Sequence, residues 1–461
     1  MPFAPPRARP IIALAIALIS VAYLAQIPTP LRLVNDGVDY LLQASSAVDG
    51  HGFLVHGARS MRPPGYPALI FVSAKAGLAN SWAIVALNCL LLAIGCWAAY
   101  FVLRDSFEFS LEVAQLISLF TLLSFLMVRN VTYPLSDVCF FGVSVACLLF
   151  LISTETAPGW QRFWRLVILI PLILLCIELR TIGVVLIPPF VWAALGGAAG
   201  IKKIYPALHR HRFFALALLL VALVAVGKTL LDSRYMKFNS PIFHHRGVLG
   251  TVALDLEFET TEWGEMAVNA PLSKLPAALR LPLQVIGACA LLAALIGICS
   301  AARMIFGVSR RILGGSAMTS AAGDTAHGAQ PARPYSLLIY LLGFGAIVFA
   351  YPWFDTRLWL PVFPFLMGYA LLGLRRILPP RILQPTLLAY CTLFSLLGIA
   401  ALAYSTRLTY AGPRFPDLYG DGNLRATYKF ALLGEAPKNP SDLDPDSLYL
   451  LQRFEWRAAR R

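Results

Sequence analysis

The hydrophobic positions of this chain fall into long runs, separated by short polar segments, from residue 11 to residue 404. A helix of about 20 apolar residues is long enough to cross a hydrocarbon core of about 30 Å. The runs predict about eleven membrane-spanning helices, at about residues 11–27, 82–103, 113–128, 138–153, 164–180, 181–198, 213–230, 281–300, 335–351, 357–374 and 385–404. The predicted fold is therefore an all-α polytopic membrane protein.

The composition agrees with this pattern. Hydrophobic residues make up 58% of the 461 positions and charged residues only 13%, whereas soluble chains carry about 25% charged residues. A set of ordinary soluble domains is thereby excluded. Between the first two spans, the first outer loop (28–81) contains a shorter apolar stretch at 65–80 that includes Lys75. This stretch predicts an interfacial or re-entrant helix.

The net charge of +14 is explained by the orientation of the spans. Lys and Arg favour cytoplasmic loops, and here they are concentrated in the N-terminal tail and in alternate loops at 104–112, 154–163, 199–212, 301–334 and 375–384. The N-terminus is accordingly predicted to lie inside. Loop 301–334 is predicted to be a flexible cytoplasmic linker, because its stretch 314–333 is rich in Gly, Ala and Ser. We expect a transmembrane domain over 1–404 and a short extracytoplasmic tail over 405–461, with segment 231–280 also outside.

The eight cysteines all lie within apolar runs and form no Cys-x-x-Cys pair. Cysteines in such positions are typically small buried hydrophobic residues. Neither disulfide bonds nor a zinc site is therefore expected.

Ionisable residues at or near membrane depth collect on the predicted outer side of the bundle. An ionisable group at this depth is costly unless it is paired or lies in a water-filled cavity. An outward-facing polar cavity is the simplest explanation. The residues concerned are Asp36, Asp39, His51, His56, Arg59, Arg62, Arg129, Asp137, Glu178, Arg180, Asp355 and Arg357.

The first outer loop carries the most specific motif. Asp36 lies four residues before Tyr40, and the loop continues through a Gly-His-Gly stretch around His51 to an Arg62-Pro-Pro-Gly-Tyr66-Pro turn. A helix that begins just after Asp36 would make this residue its N-cap, which is the commonest role of an isolated Asp at such a position. The rigid turn in the same loop presents an Arg and a Tyr at the membrane surface, and this combination favours a functional role for Asp36.

These motifs resemble those of a known family of membrane enzymes. The acid and tyrosine, the Gly-His-Gly stretch and the Arg-Pro-Pro-Gly-Tyr-Pro turn look like the first outer loop of the GT-C superfamily of glycosyltransferases. The closest branch contains the protein O-mannosyltransferases and the lipid A aminoarabinose transferase. Segment 132–137 resembles the second acidic site of that branch. Segments 179–183 and 355–364 resemble its Leu-Arg-Pro-x-Gly and Arg-Tyr-Leu-x-Pro-x-x-Pro segments, with Thr181 and Leu358 in place of Pro and Tyr.

The resemblance implies an enzyme that takes a sugar from a polyprenyl phosphate in the membrane and passes it to an extracytoplasmic acceptor, which could be a glycan, a lipid or a protein. Such a transfer needs a base for the incoming nucleophile and cations for the departing phosphate. Asp36 is the expected general base. Because family members often begin this motif with two acids, Asp39 is the alternative. Asp137 is expected to position the acceptor or to support Asp36, alone or through a divalent ion.

The other expected site residues bind substrate. Arginine suits a phosphate because its planar guanidinium donates two hydrogen bonds in parallel, although an arginine at the end of a span equally often reaches toward lipid headgroups. Loop histidines can also bind metals, but no metal site is assigned, and a divalent cation is the only cofactor left open. The expected substrate-binding residues are Tyr40, His51, Arg62, Tyr66, Arg180 and Arg357.

Three further ionisable residues on the outer side are expected to have no role in the site. Arg59 and Arg129 are expected to reach toward lipid headgroups. Glu178 lies two residues from Arg180 and so on a different helix face. We therefore expect it to be a buried carboxyl that is paired elsewhere.

Two other functions fit a bundle with embedded charges. A secondary transporter typically has internal repeats and charges near the membrane centre, whereas this sequence shows no repeat and its charges lie at the outer rim. A flippase for polyprenyl lipids would bind the same carriers without transferring sugar. The abundance of Arg, Ala and Leu favours a bacterial inner membrane with a periplasmic active site. No nucleic-acid partner is expected, because the basic residues serve the topology.

Overall fold

The computed structural model describes residues 8–107, 109–155, 157–197, 234–271, 276–313, 335–349, 351 and 353–456. The predicted span 213–230 lies outside these residues. The described chain is mainly helical, with one small hairpin in which Leu54–Val55 pairs antiparallel with Ala58–Arg59. The predicted all-α class is confirmed.

The helices of the first half are α1 (Ala8–Leu24), α2 (Asn35–Val48), α3 (Gly65–Lys75), α4 (Ser81–Ser106), α5 (Leu111–Leu123), α6 (Phe125–Val131), α7 (Ser136–Glu155), α8 (Gly159–Leu179) and α9 (Ile187–Ala194). Those of the second half are α10 (Arg234–Val268), α11 (Ala277–Leu313), α12 (Tyr335–Val348), α13 (Phe363–Ile377), α14 (Pro380–Thr409), α15 (Phe415–Tyr419), α16 (Gly422–Tyr428) and α17 (Pro445–Phe454). Short 3-10 helices occur at Thr181–Leu186, Thr356–Trp359, Gly412–Arg414 and Pro440–Asp442, and a π-helical turn occurs at Lys429–Leu433.

Four described helices are long and apolar enough to cross a membrane, namely Ser81–Ser106, Ser136–Glu155, Ala278–Arg303 and Pro380–Thr409. Helices α5 and α6 together make a fifth candidate that is bent by 54°. Shorter apolar helices occur at Arg9–Leu24, Thr181–Ala194 and Tyr335–Val348. All of these lie where the sequence predicts spans, and the polytopic character is confirmed. The total of about eleven spans stays a prediction.

The bend between α5 and α6 is held by the side chain of Asn269. A helix that breaks inside an apolar bundle leaves backbone groups without partners. The Asn269 amide accepts a hydrogen bond from the Phe125 N–H at 2.7 Å and donates to the carbonyl oxygens of Leu123 and Phe394, both at 3.0 Å. Asn269 is buried. It thus replaces the missing helical hydrogen bonds and ties α14 to the bend.

Helices α11 and α13 pack closely through two glycines. A side-chain carbon at Gly297 would collide with the carbonyl oxygen of Tyr369, and one at Gly373 would collide with that of Ala293. The residue number rises along one helix as it falls along the other, so the two helices run in opposite directions at this contact. The predicted alternation of spans would have them run the same way. Only one predicted span, 335–351, lies between these two in that alternation.

Two segments predicted as connections contain helix. Segment 231–280 holds α10, which bends at Gly247 (φ 65°), and 301–313 continue α11 rather than beginning the predicted linker. Residues 314–334 of that linker lie outside the described residues. Four of the five acids of α10 recur every three or four positions and therefore share one helix face. That face is buried and comprises Asp255, Glu259, Glu262 and Glu265.

The C-terminal tail folds back onto the extended segment that precedes α2. The Tyr428 hydroxyl donates to the Leu31 carbonyl at 2.6 Å and accepts from the Leu33 N–H at 2.9 Å. The Tyr419 hydroxyl donates to the Leu33 carbonyl at 2.8 Å, and the Leu31 N–H donates to Glu455 at 2.5 Å. Buried backbone groups need such partners, and here side chains of the tail supply them. The division of the chain at residue 404 stays a prediction.

Arg32 in the same segment is buried without a carboxylate. Its Nε donates to Thr29 at 3.0 Å, and Nη1 donates to the hydroxyls of Thr132 (3.1 Å) and Ser405 (2.9 Å). Its Nη2 donates to the Ser405 carbonyl at 2.8 Å and to the Thr409 hydroxyl at 3.0 Å. All five guanidinium N–H groups are thus satisfied by neutral oxygens, and the segment before α2 is fastened to α14.

Candidate active site

Asp36 lies in the first turn of α2, which begins at Asn35 with Val34 as its N-cap. The carboxylate of Asp36 faces two arginines. Its Oδ1 accepts from Arg62 Nη2 at 2.6 Å, and its Oδ2 accepts from Arg357 Nη2 at 2.9 Å. The interpretation of Asp36 as a simple helix cap is therefore wrong.

Arg62 joins the two acids of the first motif. Its guanidinium forms an ion pair with Asp36 and a second one with Asp39. The turn that carries Arg62 leads directly into α3, where Gly65 lies against the backbone of Glu178 so closely that any side chain there would collide with it. This close approach fixes the turn against the end of α8.

Arg357 lies in the 3-10 turn Thr356–Trp359. Besides its bond to Asp36, it donates from Nε to Asp355 Oδ1 at 2.7 Å and from Nη2 to Asp355 Oδ2 at 2.9 Å. Asp355 also accepts the Arg357 backbone N–H at 3.2 Å. The turn therefore presents the Arg357 guanidinium to Asp36 in a fixed direction.

Two acids of α10 hold this turn from behind. Glu262 accepts from the Asp355 N–H at 2.5 Å and from Trp359 Nε1 at 2.9 Å, and Glu265 accepts from the Thr356 hydroxyl at 2.6 Å. Both acids are buried. The sequence analysis did not assign them to the site, although the spacing of acids by three and four residues was a usable signal.

Asp137 and Arg180 form a second charged pair. Asp137 begins α7 and is 3% exposed, and its carboxylate is ion-paired with Arg180, which follows α8. Beside it, the Tyr40 hydroxyl lies 3.0 Å from the Ser136 hydroxyl. Among the described residues, the Asp137 carboxylate contacts Arg180 and not Asp36.

Tyr66 lies behind Tyr40 rather than at an open surface. It is fully buried, its ring meets that of Tyr40 edge to face at a centroid distance of 5.5 Å, and its hydroxyl donates to Asn88 at 3.4 Å. The Asn88 amide in turn donates to the carbonyl oxygens of Val131 and Tyr133 at 3.0 and 2.9 Å. Tyr66 therefore supports the site without lining it.

His51 is not brought to Asp36. It lines a separate cavity of about 210 Å³ between the first outer loop and α17, together with Asp49 and His56. The walls of this cavity are joined by ion pairs from His56 to Asp446 (3.1 Å) and from Arg453 to Asp49 (2.7 Å).

The cavity beside Asp36 has a volume of about 480 Å³. Two of the expected site residues, Asp36 and Arg357, line it. The remaining lining residues were not foreseen, because they come from the extended segment, the first residue of α2, the turn after α6 and the tail. They are Leu33, Val34, Asn35, Tyr133, Tyr419 and Leu424.

The charge state of Asp36 follows from these contacts. Burial by itself would raise the pKa of the Asp36 carboxyl, but the positive charges of Arg357 and Arg62 outweigh burial and hold the pKa below its ordinary value. Asp36 is therefore a carboxylate at neutral pH. Among the described residues, no group of three or more His, Cys, Asp or Glu side chains has the geometry to hold a metal ion.

Glu178 and Arg129 are two of the three residues that were expected to have no role in the site. Glu178 is exposed, so the expectation of a buried carboxyl is wrong, because it projects from the end of α8 away from the packed face that contains Leu179. Arg129 lies over the Phe125 ring, with 5.7 Å between the guanidinium carbon and the ring centroid. Neither touches the Asp36 cavity.

No protein-family model and no curated protein sequence matches this chain. Among solved structures, it is similar to ArnT from Cupriavidus metallidurans in the apo state, with 14% identity, a TM-score of 0.39 and coverage of 97% of this chain and 85% of that one. It is also similar to ArnT from Cupriavidus metallidurans bound to undecaprenyl phosphate, with 15% identity, a TM-score of 0.38 and the same coverage.

Proposed function

We propose that this protein is an integral-membrane glycosyltransferase of the GT-C type, which transfers a sugar from a polyprenyl-phosphate donor to an acceptor outside the cytoplasm. The observation that supports this most strongly is the Asp36 carboxylate, held between Arg62 and Arg357 at the wall of an open cavity. The first and the last of the four motifs that resemble the superfamily contribute these three residues. A bacterial inner membrane with the site facing the periplasm is part of the proposal.

The residues match the needs of the reaction. Asp36 is ionised and can accept the proton of an incoming hydroxyl or amine. The polyprenyl phosphate leaves as a stable anion, so a strong general acid is not required. Arg62 and Arg357 can bind that anion through paired N–H donors, and Arg180 is a third cation, held in place by Asp137.

The ion pairs also suggest the order of events. While Arg62 and Arg357 bind Asp36, their charges lower its pKa and make it a weaker base. A donor phosphodiester carries one negative charge, as a carboxylate does, and offers both arginines alternative acceptor oxygens; its phosphate gains further negative charge as the bond to the sugar breaks. Binding of the donor would draw the arginines away, raise the pKa of Asp36 and so strengthen the base. The donor is therefore expected to bind before the acceptor is activated.

The test uses the purified full-length protein in lipid nanodiscs with undecaprenyl-phosphate sugars labelled in the sugar, one hexose and one pentose, and an extract of the host cell envelope. The enzyme should release undecaprenyl phosphate and transfer the label to a component of the extract, and Asp36→Asn should do neither. Movement of the lipid-linked sugar across a liposome bilayer without release of undecaprenyl phosphate would favour a flippase or transporter and overturn the proposal.

A further inference from the structure

The C-terminal tail contributes a wall of the Asp36 cavity. Tyr419 and Leu424 line it, facing Asp36 and Arg357. Tyr419 is held rigidly, because its hydroxyl is bound to the Leu33 carbonyl and its ring stacks on Phe415 at 5.1 Å. This wall belongs to the tail and not to the transmembrane bundle.

Most of the cationic residues around Asp36 do not line this cavity. Of the three candidate phosphate-binding arginines, only Arg357 lines the cavity. Arg62 approaches Asp36 through the other carboxylate oxygen and is shared with Asp39, and Arg180 is bound to Asp137. The base therefore has a cationic side, suited to the donor phosphate, and a side enclosed by the tail.

The lining of the tail side has the chemistry that binds a sugar ring. Tyr133 and Tyr419 meet edge to face at 6.3 Å and, with Leu424, form an apolar wall. Asn35, Asp36 and Arg357 offer hydrogen-bonding groups. A sugar presents apolar C–H groups on its faces and hydroxyls at its edges, and a volume of about 480 Å³ lies within the roughly 300–1,000 Å³ of small-molecule sites.

We propose that this cavity is the acceptor subsite, that the acceptor presents a sugar ring to it, and that Tyr419 and Leu424 determine which ring fits. This inference rests on the proposed function and narrows its acceptor to a glycan or the headgroup of a glycolipid. In the reaction, an acceptor hydroxyl oxygen bonds to the anomeric carbon as the bond from that carbon to the phosphate oxygen breaks. The phosphate keeps the electron pair, and the hydroxyl proton passes to Asp36.

The test compares Leu424→Trp, which fills the cavity, and Leu424→Ala, which enlarges it, with the wild type. Phe430→Trp is the matched control, since Phe430 is an exposed tail residue outside the cavity. The acceptor probes are host envelope glycolipid, the water-soluble oligosaccharide obtained from it by removing the lipid, and an unglycosylated peptide. Binding of undecaprenyl phosphate is measured in parallel and also reports folding.

Leu424→Trp is expected to raise the KM for the sugar acceptors at least tenfold and to leave undecaprenyl phosphate binding unchanged, while Phe430→Trp behaves as wild type. Leu424→Ala is expected to change the preference between acceptors. Transfer to the soluble oligosaccharide would show that a free glycan is a sufficient acceptor. Transfer to the glycolipid but not to the oligosaccharide would show that the acceptor is a lipid-bound headgroup. An unchanged KM, an equal loss of undecaprenyl phosphate binding, or transfer to the peptide alone would overturn the inference. If the wild type releases no undecaprenyl phosphate, the proposed function itself fails.

Discussion

Asp36 and Arg357 are 321 positions apart in the chain, yet the Arg357 guanidinium donates to the Asp36 carboxylate at 2.9 Å. The contact joins the first outer loop to the segment that precedes α13. Arg62 completes the arrangement at 2.6 Å from the other oxygen. The Asp36 carboxylate is therefore fixed in direction and kept ionised, so that it is free of a proton of its own.

Asp36→Asn should lower the rate of sugar transfer by about 10²–10⁴-fold, the usual contribution of a general base. The measurement is release of undecaprenyl phosphate by purified protein. Asp39→Asn is the matched control, because Asp39 shares Arg62 but lacks the contact with Arg357. Loss of activity in the Asp39 variant with normal activity in the Asp36 variant would transfer the role of base to Asp39.

The pH dependence of sugar transfer should reflect the effect of Arg62 and Arg357 on the pKa of Asp36. Because they lower the pKa of Asp36 in the free enzyme, kcat/KM for the donor, which reports the free enzyme, should remain constant through neutral pH and fall only when the pH drops through that lowered value. Arg357→Met removes one positive charge and should move this acid limb to higher pH. The same pairing stabilises the folded protein at neutral pH, and this contribution is lost as the pH falls through the lowered pKa. An acid limb at the same pH in both proteins would argue against Asp36 as the titrating group.

Glu262 should act through the turn that carries Arg357. Burial and the neighbouring Glu259 raise the pKa of Glu262 to about 9, so its carboxyl is neutral at pH 7. Glu262→Gln keeps that neutral charge and one acceptor and should cost about 1 kcal/mol. Glu262→Leu leaves the N–H groups of Asp355 and Trp359 unpaired, at about 1–3 kcal/mol each.

The KM for the donor and the thermal unfolding temperature distinguish these Glu262 variants. The Leu variant should show a higher KM that the Gln variant largely restores. Equal effects of Gln and Leu on both quantities would contradict a positioning role.

Asn269 should be important for stability rather than for chemistry. Asn269→Asp loses both amide donors and places a carboxylate beside the Leu123 and Phe394 carbonyls, so unfolding should become easier by about 1–3 kcal/mol for each unpaired group. Thermal unfolding in detergent measures the effect. Asn423→Asp, at an exposed position in α16, is the control and should leave the unfolding temperature unchanged. A stable Asn269→Asp protein would mean that the bend needs no side-chain support.

The sequence predicted the features that depend on local pattern. Asp36, Arg62 and Arg357 were assigned to one site because their motifs lie at the outer ends of predicted spans, and the structure brings all three together. His51 was assigned to the same site because it belongs to the Gly-His-Gly stretch of the first outer loop. Its backbone carries it past α2 toward α17, into another cavity.

Contacts between distant polar residues were not predictable. The buried face of α10 is made of acids. The polar composition of segment 231–280 favours an outer loop, and only the three- and four-residue spacing of these acids indicates a helix face. The hydroxyls of Tyr419 and Tyr428 bind backbone groups almost 400 positions earlier, and no local pattern marks such a bond. The same holds for Asn269, whose role depends on a bend in another helix.

The bonds from Tyr428 and Glu455 to Leu31 and Leu33 bear on the biosynthesis of the protein. The segment that carries Asp36 leaves the ribosome before all but the first of the predicted spans, whereas the tail that fixes it emerges after every predicted span. The Asp36 cavity is therefore completed only after the last predicted span has emerged. A nascent chain still being inserted would hold Asp36 without its cover, and activity would begin only once the tail has docked.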